Sequence, residues 1–321
     1  MEIQQFKRVA IFAHFDKHNI IDDYVITYLT RLREVVDNII FVSDGDVLLG
    51  ELKKIEHLIL DNICQKHGEY DFGSYKRGFL LLQKKYPEIL SQMDELVFVN
   101  DSCYSLRGFK EVFALTEKED FDAWALADDF LDYNSNAKYL QSYFIAYRKG
   151  VFRENFFLNF INSIKKLEDK GKIIDDYEKG FSLELVRQNK KVGAIFSCYK
   201  VNCFISQNLM NLVCELREIL KPFYRKSKIK RILVDSLSLY KFNYIHSSKY
   251  YFLIKMGFPV MKRASLLVEN FGSQKLLLYW REIFKKLNID DKEILNHLNR
   301  IGANYKKVSK NKIVNLFKFY I

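Results

Sequence analysis

An α/β fold followed by a mainly helical, basic domain is predicted by three observations. Short apolar runs alternate, through about residue 205, with stretches whose apolar residues recur every three to four positions. That alternation marks strands and crossover helices, and it favours a mostly parallel sheet with helices on both faces. One run, Glu95-Leu96-Val97-Phe98-Val99, ends abruptly in Asn100-Asp101-Ser102. A buried strand that delivers a carboxylate to its C-terminal end is how open α/β sheets place a ligand or metal group beside a nucleotide. Charge then changes sign along the chain: residues 206–321 carry 23 Lys and Arg against 8 Asp and Glu, a net of +15, while the remainder carries 28 against 32, a net of −4. Two parts of opposite sign suggest two jobs, and they set the expected domains at 1–205 and 206–321.

Val9 to Ala13 reads as the first strand, with His14-Phe15-Asp16-Lys17-His18-Asn19 as the loop after it. Ile21, Val25, Tyr28, Leu29, Leu32, Val35 and Val36 then keep helical spacing, with Asn19 or Asp22 as the cap. Asn38 to Val42 is a second strand, ending in Ser43-Asp44-Gly45-Asp46. A helix is expected over Phe79 to Lys85 and stops at Pro87, so the segment Tyr70 to Arg77 before it reads as a loop. Leu96 to Val99 and Trp124 to Leu126 follow as buried strands, and Asp128-Asp129 stands after the second. Gln141 to Tyr147 alternates as a strand does. Val151 to Leu167 and Phe181 to Gln188 read as helices, and Val192 to Phe196 closes the set as a strand. No internal repeat or low-complexity segment is visible.

Composition agrees with a folded chain. Apolar residues make up 49% and charged residues 28% of 321, which excludes a disordered protein, and 27 Phe and 20 Tyr must fill a core or line pockets. The N-terminal apolar run is too short for a secretory signal core, and no stretch approaches the roughly 20 apolar residues that span a bilayer. The expected location is cytoplasmic. Five cysteines, Cys64, Cys103, Cys198, Cys203 and Cys214, lack CxxC spacing, so neither a disulfide framework nor a zinc site is indicated. They read as small buried hydrophobes.

Several blocks at the strand ends resemble the rhamnan synthesis protein F family of bacterial glycosyltransferases. They are Ala13-His14-Phe15-Asp16 with Ile21-Asp22-Asp23-Tyr24, Tyr70-Asp71-Phe72-Gly73-Ser74-Tyr75, Val99-Asn100-Asp101-Ser102-Cys103-Tyr104 and Leu140-Gln141-Ser142-Tyr143-Phe144. A weaker echo lies at Gly257-Phe258-Pro259-Val260-Met261-Lys262. The resemblance implies a GT-A-like arrangement and a nucleoside-diphosphate sugar donor. It also implies a role in making rhamnose-containing or related cell-surface polysaccharide, with inversion at the sugar carbon as the expected outcome.

Chemistry supplies a separate rationale for the strand-end motif. A nucleoside diphosphate departs with negative charge, so a hard divalent cation such as Mn2+ or Mg2+, held by carboxylate and phosphate oxygens, stabilises its departure. Asp101 is the expected metal ligand, with Asn100 and Ser102 offering neutral oxygens to ribose or phosphate. Only one carboxylate stands in this motif, where the usual pattern has two. The alternative is a turn and helix cap after a buried strand.

The nucleotide-sugar is expected to meet Asp71, Gly73, Ser74, Tyr75 and Arg77. Glycine permits close approach, serine bonds phosphate or ribose, and the guanidinium offers a forked cation. A glycine turn opening a helix with Ser74 as its cap is the competing reading. His14, Asp16 and Asp44 stand in loops where base or ribose would lie, or serve as structural caps. Transfer also needs a carboxylate to accept the proton of the attacking hydroxyl. Asp128 is the first candidate, Asp129 the spare and Glu178 the second candidate, while an acidic helix start or a solvated acidic run explains the same residues without chemistry. Gln141 and Ser142 are expected to orient acceptor hydroxyls.

In the basic part, Lys221 to Arg231 carries six cations with two aromatics among them, and Tyr305 to Ile321 repeats the mixture. Such segments suit an anionic membrane surface and an acceptor on a lipid carrier, which makes a peripheral location on the membrane a natural extension. His246 and Lys262 are expected near the donor diphosphate. No zinc-finger, RNP or P-loop signature occurs, so nucleic acid is not an expected partner. A non-catalytic binder of nucleotide-sugar or polysaccharide within a glycan assembly complex is the alternative function.

Overall fold

The structure is a computed structural model that describes residues 7–131, 137–222, 229, 233, 250–267 and 279–303. The chain divides into two compact units, Met1–Ser197 and Cys198–Ile321. The first is mixed α/β around a seven-stranded, mainly parallel sheet.

Its elements run β1 (Arg8–His14), α1 (Asp23–Arg33), β2 (Asn38–Ser43), α2 (Leu49–Leu52), β3 (Asp61–Cys64), α3 (Tyr70–Lys85), α4 (Pro87–Gln92), β4 (Glu95–Asn100), β5 (Cys103–Ser105) and α5 (Lys110–Thr116). There follow β6 (Ala123–Ala125), β7 (Asp128–Phe130), β8 (Lys138–Leu140), β9 (Phe144–Arg148), α6 (Lys149–Phe152), α7 (Asn155–Ser163) and α8 (Lys170–Ile173). A π-helical turn (Ile174–Lys179) then leads into α9 (Gly180–Arg187) and β10 (Val192–Ala194). Strand order in the large sheet is β10-β6-β9-β4-β1-β2-β3. β9 alone is antiparallel to its neighbours, β4 and β6. β7 and β8 form a separate antiparallel ribbon.

Period-2 alternation explains why both faces are covered. Val9, Ile11 and Ala13 of β1 join a core with Phe72, Tyr75, Phe79 and Leu82 of α3, Phe157 and Ile161 of α7, and Phe181 and Leu185 of α9. The alternate residue Phe12 meets Tyr28 of α1 edge-on at 5.4 Å and stacks beside Phe41 at 6.0 Å. At the N-terminal edge Arg8 and Glu95 form a buried ion pair at 2.9 Å, and Trp124 Nε1 donates to the same carboxylate at 2.7 Å.

Several elements differ from expectation. α3 begins at Tyr70, nine residues before the predicted start at Phe79, and its two glycines lie inside the helix, where they serve packing. A Cβ on Gly78 would collide with the Ile11 side chain, so this glycine lets α3 lie directly on β1. The helix expected over Val151 to Leu167 is two shorter ones, since the chain turns at Arg153 and Glu154. β3, β5, β7 and β8 have three or four residues each, too few for periodicity to register. Asp22 occupies the N-cap position of α1, as anticipated, although its side chain makes no capping bond.

Among its described residues the second unit is mainly helical: α10 (Cys198–Gln207), α11 (Leu209–Leu220), α12 (Tyr250–Lys255), α13 (Trp280–Lys286) and α14 (Lys292–Arg300), with a short strand at Val260–Lys262. Glu215 of α11 ties to α12 by accepting from Tyr251 Oη at 2.6 Å and pairing with Lys255. All five cysteines are free. Only Cys103 and Cys198 are buried; Cys64 and Cys203 are partly exposed and Cys214 is exposed, which corrects the expectation that all five fill the core. No helix among the described residues is long and apolar enough to cross a membrane. The basic segment Lys221 to Arg231 lies largely, and the tail from Tyr305 entirely, outside the described residues.

Candidate functional site

β1 stands between β2 and β4 in the sheet. The chain runs outward from β1 through β2 and β3 on one side, then returns to place β4 on the other. Strand order therefore reverses between β1 and β4, and in open α/β sheets ligands bind outside the carboxyl ends of the strands at such a point. The residues delivered there are polar. His14 pairs in register with Ser43, and Ala13 with Asn100.

His14, Ser43 and Asp101 form a row across three strand ends. His14 Nδ1 lies 3.0 Å from Ser43 Oγ, and its Nε2 lies 3.9 Å from Asp101 Oδ2. Asp101 is 5% exposed. Its N–H donates to Ala13 O at 3.0 Å, and its Oδ2 accepts from Phe15 N–H at 3.2 Å. The side chain therefore sits at the tip of a hidden strand, held by the loop that follows β1. Asn100 Oδ1 accepts from the backbone N–H and the hydroxyl of Ser102, so the two neutral groups expected to face a donor are bonded to each other. Asn100 Nδ2 donates to Asp71 Oδ2 at 2.7 Å.

Asp71 to Arg77 forms the first turns of α3, which corrects its reading as a loop. Tyr75 is wholly buried, stacked on Phe98 at 4.4 Å, and its hydroxyl donates to Ser142 O at 3.1 Å. It is a core residue that braces the site from behind. Ser74 Oγ lies 3.0 Å from His67 Nε2 and does not cap the helix. Arg77 makes a forked pair with Glu69, at 2.7 and 3.2 Å, and also donates to Gly73 O. A Cβ on Gly73 would press on the Glu69 side chain and stand 2.9 Å from His67 Nδ1, so the close approach this glycine permits is to the protein itself. Tyr70, just before, is left-handed at φ 57°.

His67 and Glu69 were not singled out from the sequence, yet they organise this loop. His67 Nδ1 accepts from Glu69 N–H at 3.1 Å, which leaves Nε2 to carry the proton toward Ser74 in the neutral ring. Burial, and then the nearby Arg77 charge, lower the pKa of His67 below its ordinary value. The hydrogen bond from Arg77 holds the Glu69 carboxyl below the usual range. Asp44 Oδ1 accepts from the N–H groups of His67 and Gly68 at 2.6 and 2.8 Å, and Asp16 Oδ1 from those of His18 and Ile20 at 2.9 and 3.1 Å. Both therefore shape their loops. Ser43 is the third residue missed; it precedes Asp44 directly, and its role follows only from the parallel register with His14.

On the other side of β4, Ser142 donates its hydroxyl proton to Glu178, which stands in the π-helical turn. The antiparallel register of β4 and β9 ends at Val99 opposite Phe144, and Asn100 N–H donates to Tyr143 O at 3.1 Å. Gln141 is 4% exposed, and its Oε1 is buried with no hydrogen-bond partner among the described residues. Asp128 and Asp129 are buried in β7, not placed at a helix start. Asp128 pairs with Lys138 at 3.3 Å; Asp129 accepts from Phe130 N–H at 2.9 Å and meets Tyr139 Oη at 3.5 Å. Lys262 closes the short strand of the second unit, its N–H donating to Tyr250 Oη at 3.1 Å. His246 lies outside the described residues.

Sequence comparison matches residues 39–254 to the family described as rhamnan synthesis protein F. No curated protein matches the chain. Among solved structures, 4-diphosphocytidyl-2C-methyl-D-erythritol synthase from Anaerococcus prevotii is 13% identical, with 60% of this chain and 89% of that one covered, at a TM-score of 0.35. The mannosyltransferase Ktr4p from S. cerevisiae is 7% identical, with 49% and 59% covered, at 0.32. Core-mannan synthase A from Aspergillus fumigatus, in a Mn/GDP form, is 11% identical, with 48% and 63% covered, at 0.30. This chain thus spans less than two thirds of the length of each of these last two proteins. The fold assignment rests on the strand order above.

Proposed function

The chain belongs to the rhamnan synthesis protein F family, and from that premise we propose that it is a glycosyltransferase. It moves rhamnose or a similar sugar from a nucleoside-diphosphate donor to a growing surface polysaccharide or lipid-linked glycan. The observation that carries this reading is the buried carboxylate of Asp101 at the reversal between β1 and β4, beside His14.

The chemistry of the groups there suits a hard divalent cation. Asp101 and Asp71 are carboxylates, and Asp71 is joined to the strand end through Asn100. Oxygen donors of this kind favour Mg2+ or Mn2+. Asp101 would hold the ion, and Asp71, bonded to the adjoining Asn100, offers a second carboxylate. When bound, the cation supplies neutralising charge to the departing diphosphate.

The chain's own residues do the positioning. His14 and the Phe15 N–H fix the Asp101 carboxylate, and Ser43 fixes His14. Ser74, Arg77 and Asp44 act through the 67–69 loop, shaping the donor's surroundings, and Tyr75 supports them from the core. The net +15 of residues 206–321 suits approach to an anionic membrane surface, where an acceptor on a lipid carrier would lie.

A thermal-shift screen of nucleoside diphosphates and nucleotide sugars, with and without Mn2+, tests the reading. A ligand that binds only the folded chain raises its melting temperature by mass action, so the hit names the donor. Asp101→Ala should keep the fold and lose both the Mn2+-dependent part of that shift and sugar transfer. Unchanged transfer would remove Asp101 from its role.

A further inference from the structure

Tyr70 breaks a local rule of the backbone. Its φ of 57° lies in the left-handed region, which Gly and Asn enter readily and a bulky aromatic residue does not. Among the described residues, every other one with positive φ is Asn or Gly. No polar or ring contact within the protein offsets this strain. Tyr70 is 44% exposed, and among the described residues its hydroxyl has no hydrogen-bond partner and its ring no aromatic or cationic neighbour. A large side chain kept in unfavourable backbone without such a return is a mark of a functional position.

Its two neighbours hold the strained residue in place. Glu69 takes the fork of Arg77 at 2.7 and 3.2 Å, and its carbonyl accepts from Gly73 N–H at 3.1 Å. On the other side, Asp71 Oδ2 accepts from Asn100 Nδ2 at 2.7 Å. The loop before Glu69 is fastened in turn to the end of β2, where Asp44 receives the N–H groups of His67 and Gly68. Asp44 follows β2, Asn100 closes β4, and β1 lies between these strands. Tyr70 is thus the exposed link between a loop anchored at the end of β2 and a side chain anchored beside Asp101, across the reversal of strand order.

We infer that the Tyr70 ring is the platform on which the base of the nucleoside-diphosphate donor stacks. This rests on the glycosyltransferase reading above. Such a donor brings three kinds of group to the strand ends. The diphosphate needs positive charge, which the cation at Asp101 supplies, and the ribose needs hydrogen bonds. The base presents a flat π-face, which an open aromatic ring covers whichever base it is. A neutral phenol without another partner suits the last of these. The anchored neighbours also fix the ring before the ligand arrives, so little ordering is lost on binding.

The test uses the full chain with Mn2+ present. Titration calorimetry gives its affinities for UDP, dTDP, GDP and inorganic pyrophosphate, and melting temperatures are measured beside them. Tyr70→Gly should weaken the best-bound nucleotide by about 10-fold or more, as loss of a stacking ring does, and leave pyrophosphate affinity within about 2-fold of native. Its melting temperature should hold or rise, because glycine relieves the left-handed strain. Tyr70→Phe keeps the ring and should bind the nucleotide as the native chain does. Should Tyr70→Gly fail to fold, Tyr70→Asn, whose side chain tolerates this backbone, decides by the same readouts. Native nucleotide affinity in Tyr70→Gly overturns the assignment while the glycosyltransferase reading stands. So does an equal loss for nucleotide and pyrophosphate, a fall in melting temperature, or a loss in Tyr70→Phe as large as in Tyr70→Gly. A native chain that binds none of the three nucleotides overturns the donor reading itself, and the platform with it.

Discussion

Asn100 donates a hydrogen bond to Asp71 at 2.7 Å, and this contact joins two sequence blocks that lie 29 residues apart. One is the end of β4, the other the first turn of α3. The helix that covers the sheet is thereby locked to the strand that carries Asp101. A hydrogen bond to a charged group contributes about 1.5–3 kcal/mol, so Asp71→Ala and Asn100→Ala should each destabilise the first unit by that order. Because the two side chains are direct partners, the double variant should cost clearly less than the sum. Urea unfolding of the four proteins measures this, and strictly additive losses would show that the bond is not formed.

Gly78 faces Ile11 so closely that a Cβ there meets the isoleucine side chain. Ile11 is β-branched and wholly buried, so it has little freedom to yield. Elsewhere in a helix Gly→Ala is favourable, but here overpacking should prevail by about 1–3 kcal/mol. A lowered urea midpoint for Gly78→Ala is the expected result; a raised one would mean that α3 stands off the sheet.

Glu95 lies at the N-terminal edge of β4, the end of the strand away from Asp101. Its carboxylate takes Arg8 at 2.9 Å and Trp124 Nε1 at 2.7 Å, with Arg148 at 3.8 Å. Arg8 keeps a second partner in Glu117 at 2.6 Å, so Glu95→Ala should cost less than the about 3–5 kcal/mol that follows when one member of a buried pair is removed and the other left alone. It still strips the buried Trp124 N–H of its acceptor and should lower stability by about 1–3 kcal/mol. Donor affinity of the fraction that remains folded should be native, which isothermal titration at low temperature would check.

The parallel sheet was legible because β1, β2 and β4 are nearly uninterrupted apolar runs, each ending in a polar cluster. Asp101 was legible for the same reason, as the carboxylate that stops such a run. Tertiary packing hid the rest. Gly73 and Gly78 look like helix breakers until Glu69, His67 and Ile11 are seen against them. Ser43 gains its role only from its register with His14, and the tie of Ser142 to Glu178 spans 36 residues and a π-helical turn. Tyr75 and Arg77 belong to a block that reads as a ligand loop, yet one is spent on Phe98 and Ser142 and the other on Glu69. Spacing along the chain carries no record of such pairings.

His67 gives the first unit a pH dependence whose sign follows from its surroundings. Burial and then the Arg77 charge disfavour its protonated form, so its pKa in the fold lies below the ordinary 6.5. The unfolded chain then binds more protons than the folded one between the lowered value and 6.5, and stability rises with pH across that window. Above it the contribution is fully present; on acidification it is lost as the unfolded histidine takes up its proton. Glu69 acts in the same direction at lower pH, because its bond from Arg77 keeps the carboxyl ionised in the fold. Its contribution is present above the ordinary 4.5 and disappears as pH falls through its lowered value. His67→Gln removes the titration while a side-chain amide can still reach Ser74. The melting temperature of this variant, measured from about pH 7 down to about pH 5, should vary less than that of the native chain, since histidine is the side chain that titrates there. Parallel curves for the two proteins would show that His67 is as readily protonated in the fold as in the unfolded chain.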